Sequence, residues 1–229
     1  MTFFCKQSVL MRIWWLSIIL ATIYGCQSKV DVSQPTPQPL KLKTILVLPF
    51  EDMSVGHGEN LNARCPVCER VFITGEVEDA GDSFLTNQLI VWLQKNSNYE
   101  IAVSPISLDS QALLYSSNET AGLVNRKIAD LGRRHNADAV LIGFLYRFKE
   151  RVGKGYSIES PASVAFGMHL IRVSDQRTVW SANYEETQRS LGENVLLLGQ
   201  FLKRGGRWVT AEEMARAGLE KILKKFPMS

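Results

Sequence analysis

The feature that most restricts the fold of this chain is the run Val140-Leu141-Ile142-Gly143-Phe144, apolar without a polar break and entered through Ala137-Asp138-Ala139. A strand that is greasy on both faces must lie inside a sheet covered on both sides, which is the situation of α/β proteins. Beyond it, Leu145, Arg147 and Lys149 share one parity and Phe144, Tyr146 and Phe148 the other, so one face is expected to meet water as the strand leaves the core. The Gly, Ser and Pro of Gly153 to Pro161 signal turns. From Ser163 to Ser174, Val164, Phe166, Met168 and Leu170 alternate with Ala165, Gly167 and His169, and the polar Asp175-Gln176-Arg177 turns the chain into Thr178 to Thr187. These three segments predict an antiparallel meander over Ala137 to Thr187.

The segments before the meander supply the parallel part. Lys43 to Ser54 contains Ile45-Leu46-Val47-Leu48 ended by Pro49, a buried strand. A helix capped by Asp79 or Asp82 is expected through Asn96, with Phe84, Leu85, Leu89, Trp92 and Leu93 on one face. Asn98 to Pro105 reads as a second strand, and strand, helix, strand implies a parallel pair. Thr120 to His135 reads as a helix with Leu123, Val124, Ile128 and Leu131 inward; its terminal Arg133, Arg134 and His135 offset the macrodipole. Leu191 to Leu202 is read as helical. A final helix opens on the capping box Thr210 and Glu213 and carries Met214, Ala215, Leu219, Ile222, Leu223 and Phe226 at helical spacing before Pro227. The predicted architecture is α/β, a single mixed sheet with helices packed on it, forming one domain over residues 42–229. With 229 residues and 45% hydrophobic content, the chain is long enough for one good core.

Residues 1–25 stand apart. Arg12 precedes the apolar stretch Ile13 to Ile23, which is shorter than the ~20 residues that cross a bilayer as a helix, and then comes Tyr24-Gly25-Cys26. This has the form of a signal peptide, and Met11-Arg12 makes a tidier charged start than Met1 to Leu10. Ile23-Tyr24-Gly25-Cys26 resembles a bacterial lipobox, which implies cleavage before Cys26 and acylation of its thiol. A plain secretory signal or an uncleaved anchor is the alternative. Several acyl chains on one cysteine anchor stably where a single chain binds only marginally, at about 0.8 kcal/mol per buried methylene. Gln27, rather than Asp, follows the cysteine, and the resemblance then implies the outer membrane.

Loss of Lys6 and Arg12 with that leader lowers the formal net charge by two, from +3 to +1, and such a balance gives no electrostatic case for nucleic acid. Ser28 to Leu40, with prolines at 35, 37 and 39, reads as a solvated tether over residues 26–41, reaching ~35 to 40 Å at ~3.1 Å per residue.

Ile45-Leu46-Val47-Leu48-Pro49-Phe50-Glu51-Asp52-Met53-Ser54 and, later, Arg133-Arg134-His135-Asn136-Ala137-Asp138-Ala139-Val140-Leu141-Ile142-Gly143 together resemble a group of envelope α/β domains. That group comprises the TolB N-terminal domain, the curli-secretion lipoprotein and the lipoprotein activators of penicillin-binding proteins. The likeness covers most of residues 43–226 in order and spacing. It implies a TolB N-terminal-like fold and work done by docking, on another envelope protein or as a homo-oligomer.

The insertion at residues 55–78 carries Cys65-Pro66-Val67-Cys68. With Cys5 and Cys26 in the leader and anchor, two thiols remain in the folded part. In an oxidising compartment they form a local disulfide or a thiol pair pinning a loop. Cys-Pro-x-Cys also resembles half of a zinc knuckle, to which His57 or Glu69 would add ligands; a tetrahedral site needs four, and no second Cys-x-x-Cys exists unless a dimer supplies one. Redox chemistry is the third reading, against which Val71-Phe72-Ile73 after the motif is strand-like, whereas a reactive pair opens a helix.

No paired carboxylates, phosphate loop or nucleophile with an adjacent base stands out, so the chain reads as non-catalytic. Glu185-Glu186 reads as a solvated edge, and of the three histidines only His57 lies near another ligand type in sequence. Phe201, Lys203, Arg204, Arg207 and Trp208, around Gly205-Gly206, form a candidate contact surface for a partner; the competing reading is a loop whose Trp208 tucks into the core.

Overall fold

The computed structural model describes residues 29–33, 41–55, 58–78, 80–105, 121–154, 157–188 and 209–228. In chain order the elements are β1 (Lys29–Ser33), β2 (Thr44–Val47), β3 (Glu51–Asp52), β4 (Asn62–Arg64), β5 (Val71–Ile73), α1 (Gly81–Asn96) and β6 (Glu100–Val103). They continue as α2 (Ala121–Arg134), β7 (Ala139–Lys149), β8 (Val152–Lys154), β9 (Ser157–Ser160), β10 (Ser163–Arg172), β11 (Thr178–Thr187) and α3 (Ala211–Leu223).

The apolar run at Val140 becomes β7, the centre of one mixed sheet ordered β1-β11-β10-β7-β2-β6, with β3 also pairing to β7. β2 runs parallel to both β6 and β7, while β7, β10 and β11 form the antiparallel meander. Asp138 locks the parallel half: its Oδ2 accepts from the N–H groups of Lys43 (2.8 Å) and Thr44 (3.1 Å) at the mouth of β2.

Helices α1 and α3 cover one face of the sheet. There Leu85, Leu89 and Leu93 from α1, and Met214, Leu219, Ile222 and Phe226 from α3, close over Ile45, Leu141, Phe166, Leu170 and Trp180. Each such fully buried side chain contributes about 1.5 to 3 kcal/mol. Helix α3 keeps its capping box: Thr210 accepts from the Glu213 N–H, and the Glu213 carboxylate accepts from the Thr210 N–H. Glu150 adds a third acceptor, on the Ala211 N–H at 2.8 Å. The opposite face is shared by α2 and the β4–β5 hairpin, which bury Val124, Ile128, Ala63, Cys65 and Phe72 over Leu46, Val140, Ile142, Phe144 and Tyr146. No helix among the described residues is long and apolar enough to cross a membrane.

Several expectations are corrected. Lys29–Ser33, read as tether, pair antiparallel with β11, so the sheet begins within the Pro-rich segment rather than at residue 42, and β11 is an inner strand. Glu185 and Glu186 accordingly are half-buried and engaged, with Arg147 (3.4 Å) and with the Tyr184 hydroxyl (2.7 Å). The turn region after Gly153 includes the small hairpin β8–β9. Ala80, in left-handed conformation (φ 69°), precedes α1, and no side chain among the described residues caps the helix; Asp82 lies in its first turn, and Asp79 lies outside the described residues. Leu123 is exposed, and Gly132 and Ala129 join Val124 and Ile128 on the inner face of α2. Leu191 to Leu202 lies outside the described residues.

The parity reading of β7 also changes. Ala165 pairs with Arg147 and Phe166 with Leu145, so Tyr146 is an extra residue in the ladder. Such a bulge moves every later side chain to the other face. Phe148 therefore joins Leu145 in the helix-covered core, and Arg147 turns beneath the β4–β5 hairpin.

Candidate functional site

The Cys-x-x-Cys motif is the tip of the β4–β5 hairpin. Its turn is closed by the Cys65 N–H donating to the Arg70 carbonyl (2.8 Å) and the Glu69 N–H donating to the Cys65 carbonyl (2.9 Å). Glu69 takes up the left-handed conformation (φ 61°) that lets the chain reverse. Both thiols then face the sheet, and the backbone N–H groups of Cys68 and Val67 point at the Cys65 sulfur. Phe72 stacks flat on Tyr146, with ring centroids 4.0 Å apart and planes within 8°. Arg147, re-aimed by the bulge, donates to the Ile73 carbonyl (2.7 Å) and to Ser163 Oγ (2.6 Å), tying the hairpin to the sheet.

Beneath the tip, His169 of β10 presents Nε2 to Cys65 Sγ at 3.1 Å. Its Nδ1 lies 2.9 Å from Ser181 Oγ on the neighbouring strand. With Nδ1–H donating to that hydroxyl, the Nε2 lone pair would be directed at the thiols. One donor atom each from Cys65, Cys68 and His169 lies within 4.8 Å of the other two. Cys65 and His169 are fully buried and Cys68 is half-buried; the two cysteines are free thiols.

Glycine at 167 keeps the floor of this site open. A Cβ there would stand 2.8 Å from Asn183 Oδ1 and 3.6 Å from His169 Nε2. Asn183 Oδ1 is a buried polar atom with no hydrogen bond among the described residues.

Burial alone would push the Cys65 thiol up. Hydrogen bonding from the Cys68 thiol, the Tyr146 hydroxyl and the two backbone N–H groups outweighs it, and the thiol is lowered to about 7. The Cys68 thiol, hydrogen-bonded to Cys65 and partly desolvated, is raised to about 12. The two thiols therefore titrate as a coupled pair in which Cys65 ionises the more readily. The arrangement can bind a soft metal ion or exchange the thiols for a disulfide. Cys65 and His169 are enclosed, and Cys68 is the half-buried member of the group.

The structure thus joins two of the sequence-derived candidates, Cys65 and Cys68, with a residue the sequence left aside, His169. His57, Cys26, Phe201, Lys203, Arg204, Arg207 and Trp208 lie outside the described residues. Glu69 is exposed at the hairpin tip and is not among the grouped donors. The one local signal for His169 was its company: Ala165 and Gly167 on the same strand face are small, which leaves space over that stretch of sheet.

No protein-family model matches the chain, and no curated protein matches it in sequence. Solved structures are similar to it. The PelC dodecamer from Paraburkholderia phytofirmans covers 89% of this chain and 99% of that chain at 13% identity, with a TM-score of 0.53. Lipoprotein GNA1162 from Neisseria meningitidis covers 72% and 98% at 12% identity and a TM-score of 0.38, and the LpoB C-terminal domain from Salmonella enterica 65% and 86% at 16% identity and 0.34. The overlap with PelC shows that this chain has the fold of that protein's subunit.

Proposed function

We propose that this chain is a non-catalytic, lipid-anchored protein of the bacterial cell envelope, whose α/β domain acts by docking to another envelope protein and to copies of itself. The observation that carries the reading is the fold overlap with nearly the whole of a protein that assembles as a dodecamer. The lipobox-like Ile23-Tyr24-Gly25-Cys26 supports the anchor, and Gln27 after the cysteine supports the outer membrane. Among the described residues the nucleophile with a neighbouring base is the enclosed Cys65–His169 pair, which favours a module that works by contact.

The pairing of β1 with β11 changes how the anchor would act. From Cys26 to Lys29 an extended chain reaches only about 10 Å. An acyl group on Cys26 would hold the β1 edge of the sheet close to the lipid, in place of a long leash. Phe201, Lys203, Arg204, Arg207 and Trp208 remain our proposed partner contacts.

Cys26→Ala should move the protein out of the membrane fraction, and in-cell crosslinking of the wild type should give self-crosslinked species together with a discrete envelope partner. Persistent membrane association of the variant would end the anchor reading, and a strictly monomeric, uncrosslinked protein the docking reading. The second reading, a thiol-dependent redox or zinc protein of the periplasm, is favoured by the Cys65, Cys68 and His169 cluster. It predicts loss of function in Cys65→Ser and Cys68→Ser with the fold kept.

A further inference from the structure

We propose that Cys65, Cys68 and His169 hold one zinc ion, which clamps the β4–β5 hairpin onto the meander. The inference stands on the geometry of the site and is independent of the docking role.

Zinc–sulfur bonds of about 2.3 Å and zinc–nitrogen bonds of about 2.0 to 2.1 Å place tetrahedral donors roughly 3.5 to 3.8 Å apart. The three donors here already lie within 4.8 Å of one another, with Cys65 Sγ and His169 Nε2 at 3.1 Å. Small side-chain movements are enough to bring them onto one ion. Ser181 fixes the ring through Nδ1, the outer contact that metal-bound histidines commonly have. The N–H groups of Val67 and Cys68 directed at the Cys65 sulfur stabilise a thiolate there.

Charge selects the ion. Two thiolates and a neutral imidazole balance a divalent cation, so the filled site is neutral and its burial carries no Born penalty for a net charge. A monovalent soft ion would leave one negative charge enclosed. On binding, the one or two protons held by the thiols leave to solvent, and no electron changes hands. The fourth position takes an oxygen ligand; Gly167 keeps space for it, and Asn183 Oδ1 beside it is a buried polar atom without a hydrogen bond among the described residues.

A disulfide suits the same residues less well. The two sulfurs are free thiols here, and a disulfide would give the buried His169 ring no ion to hold. Redox exchange is disfavoured as well, since the motif sits between two three-residue strands and opens no helix. The hairpin has good reason to need a clamp: with three residues per strand and Val71 and Ile73 exposed, it cannot be stable by itself.

The test uses the full-length protein extracted in detergent without chelators. Elemental analysis should find one zinc per chain, and zinc-edge X-ray absorption should show two sulfur neighbours and an imidazole. Cobalt(II) added to the metal-stripped protein should give intense tetrahedral thiolate bands, which His169→Gln weakens and Cys65→Ser abolishes. Absence of zinc, another metal in its place, a coordination shell without imidazole, or differential alkylation showing both thiols oxidised as isolated would each overturn the proposal. The absorption measurement on wild type decides the matter even where a variant does not fold.

Discussion

Cys65 and His169 touch at 3.1 Å across 104 residues of chain. The contact joins the tip of an inserted hairpin to the middle of the sheet, and the chemistry of the insertion depends on it. Both residues are fully buried, so their polar atoms are satisfied by protein neighbours, Ser181 at one nitrogen of the ring among them, or by a shared ion.

Ser181→Ala tests how the imidazole is oriented. Loss of the Oγ partner frees the ring tautomer while Cys65, Cys68 and His169 stay in place. Affinity for zinc, read by competition with a chromophoric chelator, should fall about 10- to 100-fold. The melting temperature of the metal-free protein should fall by several degrees, since a buried ring nitrogen left without its partner costs about 1 to 3 kcal/mol.

Arg147→Leu should loosen the hairpin and leave the sheet intact. The guanidinium is the link to the Ile73 carbonyl and to Ser163, and it also lies near Glu185 (3.4 Å). Hydrogen exchange should accelerate at the amides of residues 62–73, with those of β2 and β10 unchanged. Global loss of protection in the variant would show that the contact supports the whole core.

Gly143→Ala tests the packing of the helix-covered face. A Cβ at 143 would stand 2.4 Å from Phe50 Cε1, in a ring that also packs edge-on against Phe166. Overpacking of this kind costs about 1 to 3 kcal/mol, which chemical denaturation would register as a lower midpoint at unchanged slope. An unaltered midpoint would mean that Phe50 moves freely.

Asp175→Asn tests a pH-dependent turn. The hydrogen bond to Arg172 (2.9 Å to Nε) holds the Asp175 carboxyl below its ordinary value. With the folded pKa depressed, the contribution is present above the unfolded value, about 3.9, and is lost as pH falls through the folded one. Because the pair is largely solvated, the effect is a few tenths of a kcal/mol, about 0.3. The stability difference between wild type and variant should be present at pH 6 and vanish in strong acid.

Local pattern alone was enough to place the meander, the parallel start and the last helix, because burial on one or both faces writes itself into residue order at a period of 2 or 3.6. The same reasoning isolated Cys65 and Cys68, since a Cys-x-x-Cys pair is contiguous in the chain. Three-dimensional packing decided the rest. The bulge at Tyr146 reversed the faces of Arg147 and Phe148 because one unpaired residue in a ladder shifts every later side chain, and no periodicity within β7 marks it. β1 was hidden because a Pro-rich flank reads as linker until an inner strand offers it hydrogen bonds. His169 looked like one polar residue in an apolar alternation; its partner is brought by a hairpin from the far side of the chain, and contacts of that separation leave no trace in the spacing of neighbouring residues.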